Sequence, residues 1–371
     1  MKQYDVREDG VGVILPGTTE IKESAFYNRS DLTSIEIPDS VTKIGTNAFG
    51  YCEKLQIVEI PSSVTEIEKW AFVGCEGLTT VENASSVVKI GKEAFMGCIK
   101  LKDIKMPPTL EEIGEGAFRK CANLKYINLS SSVKELWVWE EAFKDCTTLQ
   151  GIEIPSTIDW IGDKAFSGCA NLERVKLLAC SAEKEQKVIR KRLHLDDENR
   201  LSCSEIGDNA FSGCNKLTTV EVPLVETIGE RAFADCTSLV KIVIPPSVSR
   251  IYEAAFIGCT GLTDVVIPDS VIMMGDLVFA GCTALKNIEI PSSVKKIGGQ
   301  AFDGCSGLST VRFLGKVEHL GYYDDDRCSV FGVFDDCASL NKIIVPQGMG
   351  DYYKYQLHEN EDLIIEQTAE M

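Results

Sequence analysis

Residues 44–64 read Ile44-Gly45-Thr46-Asn47-Ala48-Phe49-Gly50-Tyr51-Cys52-Glu53-Lys54-Leu55-Gln56-Ile57-Val58-Glu59-Ile60-Pro61-Ser62-Ser63-Val64. The same pattern returns along most of the chain, most often at a step of 23 residues. Its phenylalanines are Phe26, Phe49, Phe72, Phe95, Phe118, Phe143, Phe166, Phe211, Phe233, Phe256, Phe279, Phe302 and Phe334. Three residues after each stands Cys in twelve of the thirteen units, with Arg29 the exception. Six residues on is always Leu, nine on always Ile or Val, and twelve on Pro in nine units.

These columns have a physical reading. Leu-x-x-Ile-x-Ile ends in alternation, the mark of a short strand with one buried face. Pro closes the strand, because it has no amide hydrogen for a ladder. A second short apolar pair follows, such as Val41 with Ile44, often before Gly. Ala-Phe-x-x-Cys then returns the chain to the next strand, and its spacing predicts a tight helical turn. One unit is too small to bury its own apolar side, so units must stack, with strands about 4.8 Å apart in a parallel sheet. The expected fold is an α/β repeat solenoid of about thirteen coils of roughly 23 residues.

The unit Ile-Gly-x-x-Ala-Phe-x-x-Cys-x-x-Leu-x-x-Ile-x-Ile-Pro-x-x-Val resembles the BspA-like, or Treponema pallidum-type, leucine-rich repeat. The resemblance runs over about residues 11–346 and implies a right-handed superhelix with a parallel β-sheet. It also implies binding or adhesion at a cell surface. Residues 13–346 are expected to form the solenoid, 1–12 an N-terminal cap and 347–371 a C-terminal cap with a short helix and strand. Solenoids need such caps because their end faces would otherwise expose core.

The chain has 371 residues, 44% hydrophobic and 25% charged, with a formal net charge of −18. That charge opposes general affinity for nucleic acid or anionic lipid, and leaves a protein partner of basic character. No apolar run approaches a membrane span, so no membrane insertion is expected. The first residues lack an apolar export core, and fifteen cysteines suit a reducing medium, so the residues point to a cytoplasmic location. The resemblance alone points to the cell surface.

Three departures interrupt the columns. Residues 179–203 lose the pattern and begin basic, with Lys184, Lys187, Arg190, Lys191 and Arg192; they fit either a plain loop or a binding element. Residues 318–333 add nine positions, including Tyr322-Tyr323-Asp324-Asp325-Asp326 near His319, and read as a solvated loop rather than a cation site. Two residues added before Phe143 bring Trp137 and Trp139. Trp137 and Trp160 stand six residues before their phenylalanines, in a column otherwise polar. They form either an exposed pair on adjacent coils or local packing.

Twelve cysteines at one inward position read as a structural ladder. Stacked side chains point the same way, which suits neither tetrahedral zinc nor a disulfide. Cys180, Cys203 and Cys328 lie in the interruptions. His194, His319 and His358 are the only histidines, and no nucleophile elbow, phosphate loop or metal spacing accompanies them. Neither an enzyme nor a cofactor is expected.

The binding candidates lie on the outward side of the strand that ends each Leu-x-x-Ile-x-Ile run. Ten residues after Phe stand Glu36, Glu59, Glu82, Lys176, Val243 and Val266; eight after stand Tyr126 and Arg174. Neighbouring glutamates repel, and cations or a basic partner would relieve them. With Trp137 and Trp160 these residues form the predicted partner surface. The primary expectation is a non-catalytic protein-interaction scaffold, and the alternative a cell-surface adhesion protein of BspA type.

Overall fold

A computed structural model describes residues 3–128, 137–155, 160–178, 205–222, 224–324 and 329–367. The chain divides into two compact units, Met1–Leu201 and Ser202–Met371. The first carries seven of the repeat phenylalanines and the second six. The protein is a leucine-rich-repeat solenoid of about thirteen stacked coils with parallel sheet, consistent with a right-handed superhelix.

Each regular coil of the first unit has three sides. The first is a short strand such as Ile57–Glu59, paired in parallel with Thr80–Glu82 so that Val58 meets Val81 and Glu59 meets Glu82. Alternation sends Val58 into the core and Ile57 and Glu59 outward. Pro61 then turns the chain, and its carbonyl accepts from the Val64 amide at 3.0 Å. The second side is a two-residue strand. Lys43–Ile44, Glu66–Ile67, Lys89–Ile90 and Glu112–Ile113 pair in parallel and in register.

The third side is the Ala-Phe return, and it is not the helical turn that its spacing predicts. It is a run of reverse turns with left-handed residues two before and two after the phenylalanine, as at Asn47 (φ 56°) and Tyr51 (φ 59°). The cause is hydrogen bonding between coils. The amides of Asn47, Phe49 and Tyr51 donate to carbonyls of Lys69, Ala71 and Val73 on the next coil, at 3.1, 2.8 and 2.6 Å. A helix would spend those amides on itself and leave the coils unjoined.

Inside, the phenylalanine rings stack nearly parallel, with centroids 5.0 to 5.4 Å apart from Phe26 to Phe166. Each described ladder cysteine of the first unit donates its S–H to the phenylalanine carbonyl of the preceding coil. Cys52 reaches Phe26 O at 2.9 Å and Cys98 reaches Phe72 O at 3.2 Å. The Cys column is therefore a hydrogen-bonding column as well as an apolar one.

The second unit repeats the plan. Lys241–Val243 pairs with Asp264–Val266, and Arg250–Ile251 with Met273–Met274. Within the 318–333 interruption, Tyr322–Asp324 and Ser329–Phe331 form an antiparallel hairpin. Phe334 still stacks on Phe302 at 5.5 Å beyond it. After the last repeat come a helix, Gly350–Gln356, a 3-10 turn, His358–Leu363, and a strand, Ile364–Glu366, paired parallel to Lys342–Val345. The buried Tyr353 hydroxyl donates to Gly315 O at 2.6 Å and accepts from the Val317 amide at 3.1 Å. At the other end, Tyr4–Val6 runs antiparallel to Val11–Ile14.

Candidate functional site

The outward first-strand row of the first unit holds two contrasting regions. Glu36, Glu59 and Glu82 are exposed, and Glu59 and Glu82 face each other in register. Part of their repulsion is answered within the chain. Arg7 lies 3.8 Å from Glu36, and the Asn83 amide donates to Glu59 at 2.6 Å. Exposed pairs of this kind contribute roughly 0–1 kcal/mol, so the carboxylates remain open to a basic partner.

Further along the same row, Tyr126, Gly151 and Arg174 stand directly opposite one another on three consecutive strands. Tyr126 is 50% exposed, and its hydroxyl donates to Gln150 Oε1. Gly151 has no side chain to separate its neighbours, and Arg174 leans over it. A Cβ on Gly151 would meet Arg174 Cγ at 3.7 Å and Nε at 3.8 Å. Lys176 sits 3.7 Å from Glu153 and stays exposed. Lys105 is exposed in the same row, and Lys102 and Lys125 are exposed just before the strands Asp103–Ile104 and Tyr126–Asn128. Three predicted residues, Tyr126, Arg174 and Lys176, thus share one aromatic and basic region. Lys105 stands in the same ten-after column as the glutamates, whereas Gly151, Lys102 and Lys125 are not among the residues that the column pattern singles out. For Gly151 the signal is a glycine at a strand position between Tyr and Arg.

Val243 and Val266 belong to the second unit. They pair directly, are 55% and 53% exposed, and form an apolar spot with Val240, beside the opposed Lys241 and Asp264. The tryptophans lie elsewhere, beside the second-strand row. The indole pair described is Trp139 with Trp160, edge to face at 5.4 Å. Trp137 lies in the strand Trp137–Val138, and its side chain falls outside the described residues.

The ladder thiols are chemically quiet. Burial pushes Cys52 up to about 11 and Cys146, Cys259 and Cys305 up to about 12, and all twelve are free. His319 lies exposed in the strand His319–Leu320. His194, the side chain of His358, the cysteines Cys180, Cys203 and Cys328, and the basic stretch 179–203 lie outside the described residues. Among the described residues no group of three or more His, Cys, Asp or Glu is placed to hold a metal ion. No described helix is long and apolar enough to cross a membrane.

Comparison with known proteins gives the same fold throughout. A leucine-rich repeat protein from Bacteroides ovatus ATCC 8483 is 25% identical, with a TM-score of 0.66 and 98% of each chain covered. A leucine rich cell surface protein from Faecalibacterium prausnitzii A2-165 is also 25% identical, with a TM-score of 0.50 and 96% of each chain covered. The pneumococcal vaccine antigen PcpA is similar in fold, at 22% identity and a TM-score of 0.51, over 100% of this chain and 98% of that one. The search of curated proteins returned no match.

The likeness to a named cell surface protein overturns the cytoplasmic location expected from the cysteines and the opening residues. The cysteine argument fails for a physical reason: thiols that are buried, un-ionised and hydrogen-bonded to carbonyls need no reducing medium to stay free. The model of the family described as BspA type leucine rich repeat region (6 copies) matches residues 19–139, 137–189 and 204–330, more than half of the sequence. The chain belongs to the BspA type leucine-rich-repeat family.

Proposed function

We propose that this chain is a non-catalytic adhesion protein of the cell surface, holding a protein partner against the outward first-strand row of its first unit. The observation that carries the reading is the row Tyr126–Gly151–Arg174, an exposed aromatic followed by an arginine that lies over a strand position without a side chain. Tyr and Arg are the residue types that concentrate binding energy at protein interfaces. The acidic stretch Glu36, Glu59 and Glu82 lies in the same row and suits a basic segment of the same partner. The 25% identity to a leucine rich cell surface protein supports placement at the surface over an internal scaffold. In this reading residues 13–346 carry recognition, and residues 1–12 and 347–371 cover the ends.

Protease shaving of intact native cells tests the location, and binding of the purified chain to a partner captured on those cells tests the surface. Surface-exposed protein is expected to be cut. Arg174→Glu with Lys176→Glu is expected to weaken capture at least about tenfold, about 1.4 kcal/mol. Full protection from the protease would end the adhesion reading. Undiminished capture by the folded double variant would end the assignment of this row.

A further inference from the structure

Four residues before the ladder phenylalanine, adjacent coils of the first unit carry Gly91 and Gly114. There the backbones of neighbouring coils pass very close. A Cβ on Gly114 would stand 2.7 Å from Gly91 C, and one on Gly91 would stand 2.6 Å from Lys69 N. The next coil places Trp139 in the same column, and the preceding coil places Glu68 there. Two glycines therefore form a floor with an indole at one end and a carboxylate at the other.

Side chains on either side complete an open box of about 410 Å³. The pair Lys89–Glu112, at 2.9 Å, lines one side, and the pair Lys92–Glu115, at 2.7 Å, lines the other. The Glu68 carboxylate accepts from the Thr46 amide at 2.7 Å and from Lys43 at 2.6 Å. Trp139 is 38% exposed and braced edge to face by Trp160. The volume falls within the range of ordinary small-ligand sites, roughly 300–1,000 Å³.

The chemistry of the rim selects the ligand. Lys89, Lys92, Glu112 and Glu115 are all engaged in ion pairs, so a charged ligand set between them must break a pair to make a new one, while Lys69 on the rim is drawn over the Trp70 ring. A purely apolar ligand would take water from those ions without replacing its hydrogen bonds. A hydroxyl both donates and accepts, so it satisfies a carboxylate and an ammonium together and leaves the pair intact. The C–H face of a sugar ring packs on an indole, which offers a broad apolar surface with its own electrostatic preference. We propose that this box binds a neutral saccharide, its ring face on Trp139 and its hydroxyls between the Lys89–Glu112 and Lys92–Glu115 pairs. The box lies beside the second-strand row, so it stands independently of the proposed protein-binding row.

The full chain applied to an array of neutral and acidic oligosaccharides tests this, followed by titration of tryptophan fluorescence with the free sugar of the strongest neutral hit. Saturable binding of a neutral oligosaccharide is expected. Trp139→Ala should weaken it about tenfold or more, the scale of one lost aromatic face. Trp139→Phe should lie between, and Tyr252→Ala, an exposed aromatic of the second unit, should leave affinity unchanged. Protection of Trp139 from N-bromosuccinimide by the bound sugar, mapped by peptide mass, reports the contact without any substitution. The proposal is overturned if no neutral sugar binds at millimolar concentration or if only acidic sugars bind. Unchanged affinity in folded Trp139→Ala, or oxidation of Trp139 unaffected by the sugar, would also overturn it.

Discussion

Placing the folded protein in an alkaline solution of DTNB, a disulfide reagent that reports each thiolate it meets, tests the cysteine ladder directly. Burial holds Cys52 at about 11 and Cys146 at about 12. At pH 8 a thiol of pKa about 11 is ionised to roughly one part in a thousand, and one of about 12 to roughly one in ten thousand. Free cysteine, near 8.5, is about a quarter ionised. Because only the thiolate attacks, ionisation alone slows Cys52 about 250-fold and Cys146 about 2,500-fold. Exclusion of the reagent slows both further, since each has no exposed surface. The S–H bond from Cys146 to Phe118 O, at 3.1 Å, also retains the proton. The chain has fifteen cysteines, of which twelve form the ladder. The folded protein should therefore show at most three prompt thiols, and guanidinium should release the remainder. Prompt labelling of any ladder cysteine, assigned by peptide mass, would refute the reasoning. The same slow chemistry lets a cysteine-rich chain keep its buried thiols free without depending on a reducing medium.

Two other perturbations read the packing. Phe95 is fully buried between Phe72 at 5.1 Å and Phe118 at 5.3 Å, so Phe95→Ala should cost about 3–5 kcal/mol in urea unfolding; a loss below about 1 kcal/mol would mean the ladder does not bear on stability. Burial alone would raise the pKa of Glu68, but hydrogen bonds from Lys43 and Thr46 outweigh it and hold the carboxyl below its ordinary value. Its contribution is thus present above the unfolded carboxylate pKa of about 4.3 and is lost as pH falls through the folded value. Unfolding of the parent and of Glu68→Gln should differ at pH 7 and converge below about pH 4; a constant gap across that window would remove Glu68 from the acid sensitivity.

The solenoid is legible in the sequence because each coil is its neighbour's packing partner. A side chain that stacks on its own equivalent, as Phe49 does on Phe26 and Phe72, must recur at one step, so the packing period is also the sequence period. The return segment is deceptive because Phe and Cys three residues apart mimic helical spacing. The contrary signal stands two residues after phenylalanine, where Asn28, Gly74, Gly97 and Asp145 are all types that tolerate a left-handed backbone. The tryptophan pair is displaced when polar columns are counted back from phenylalanine. Counting from the glycine column instead puts Trp139 where Gly114 and Gly162 stand, and Trp139 is the indole found against Trp160.

The outward positions are harder to read because the fold constrains them least. An inward residue is fixed from both sides: Cys98 must fill its place and also meet Phe72 O. Nothing in coil packing chooses between Glu82 and Lys105 at equivalent outward positions, so those columns are free to record contacts with something else. Residues that break a pattern at a structural position are more informative still. Gly151 gives up the stabilising side chain of a strand residue, which costs roughly 0.5–1 kcal/mol, and lets the Arg174 side chain lie over that position. Trp139 puts the largest side chain into a column that neighbouring coils keep empty, and leaves 38% of it in water. Folding gains little from either choice. Trp139 lines an open box, and Gly151 brings an arginine over the strand beside an exposed tyrosine; that coincidence of local cost with an exposed contact surface is why recognition is assigned to these two places.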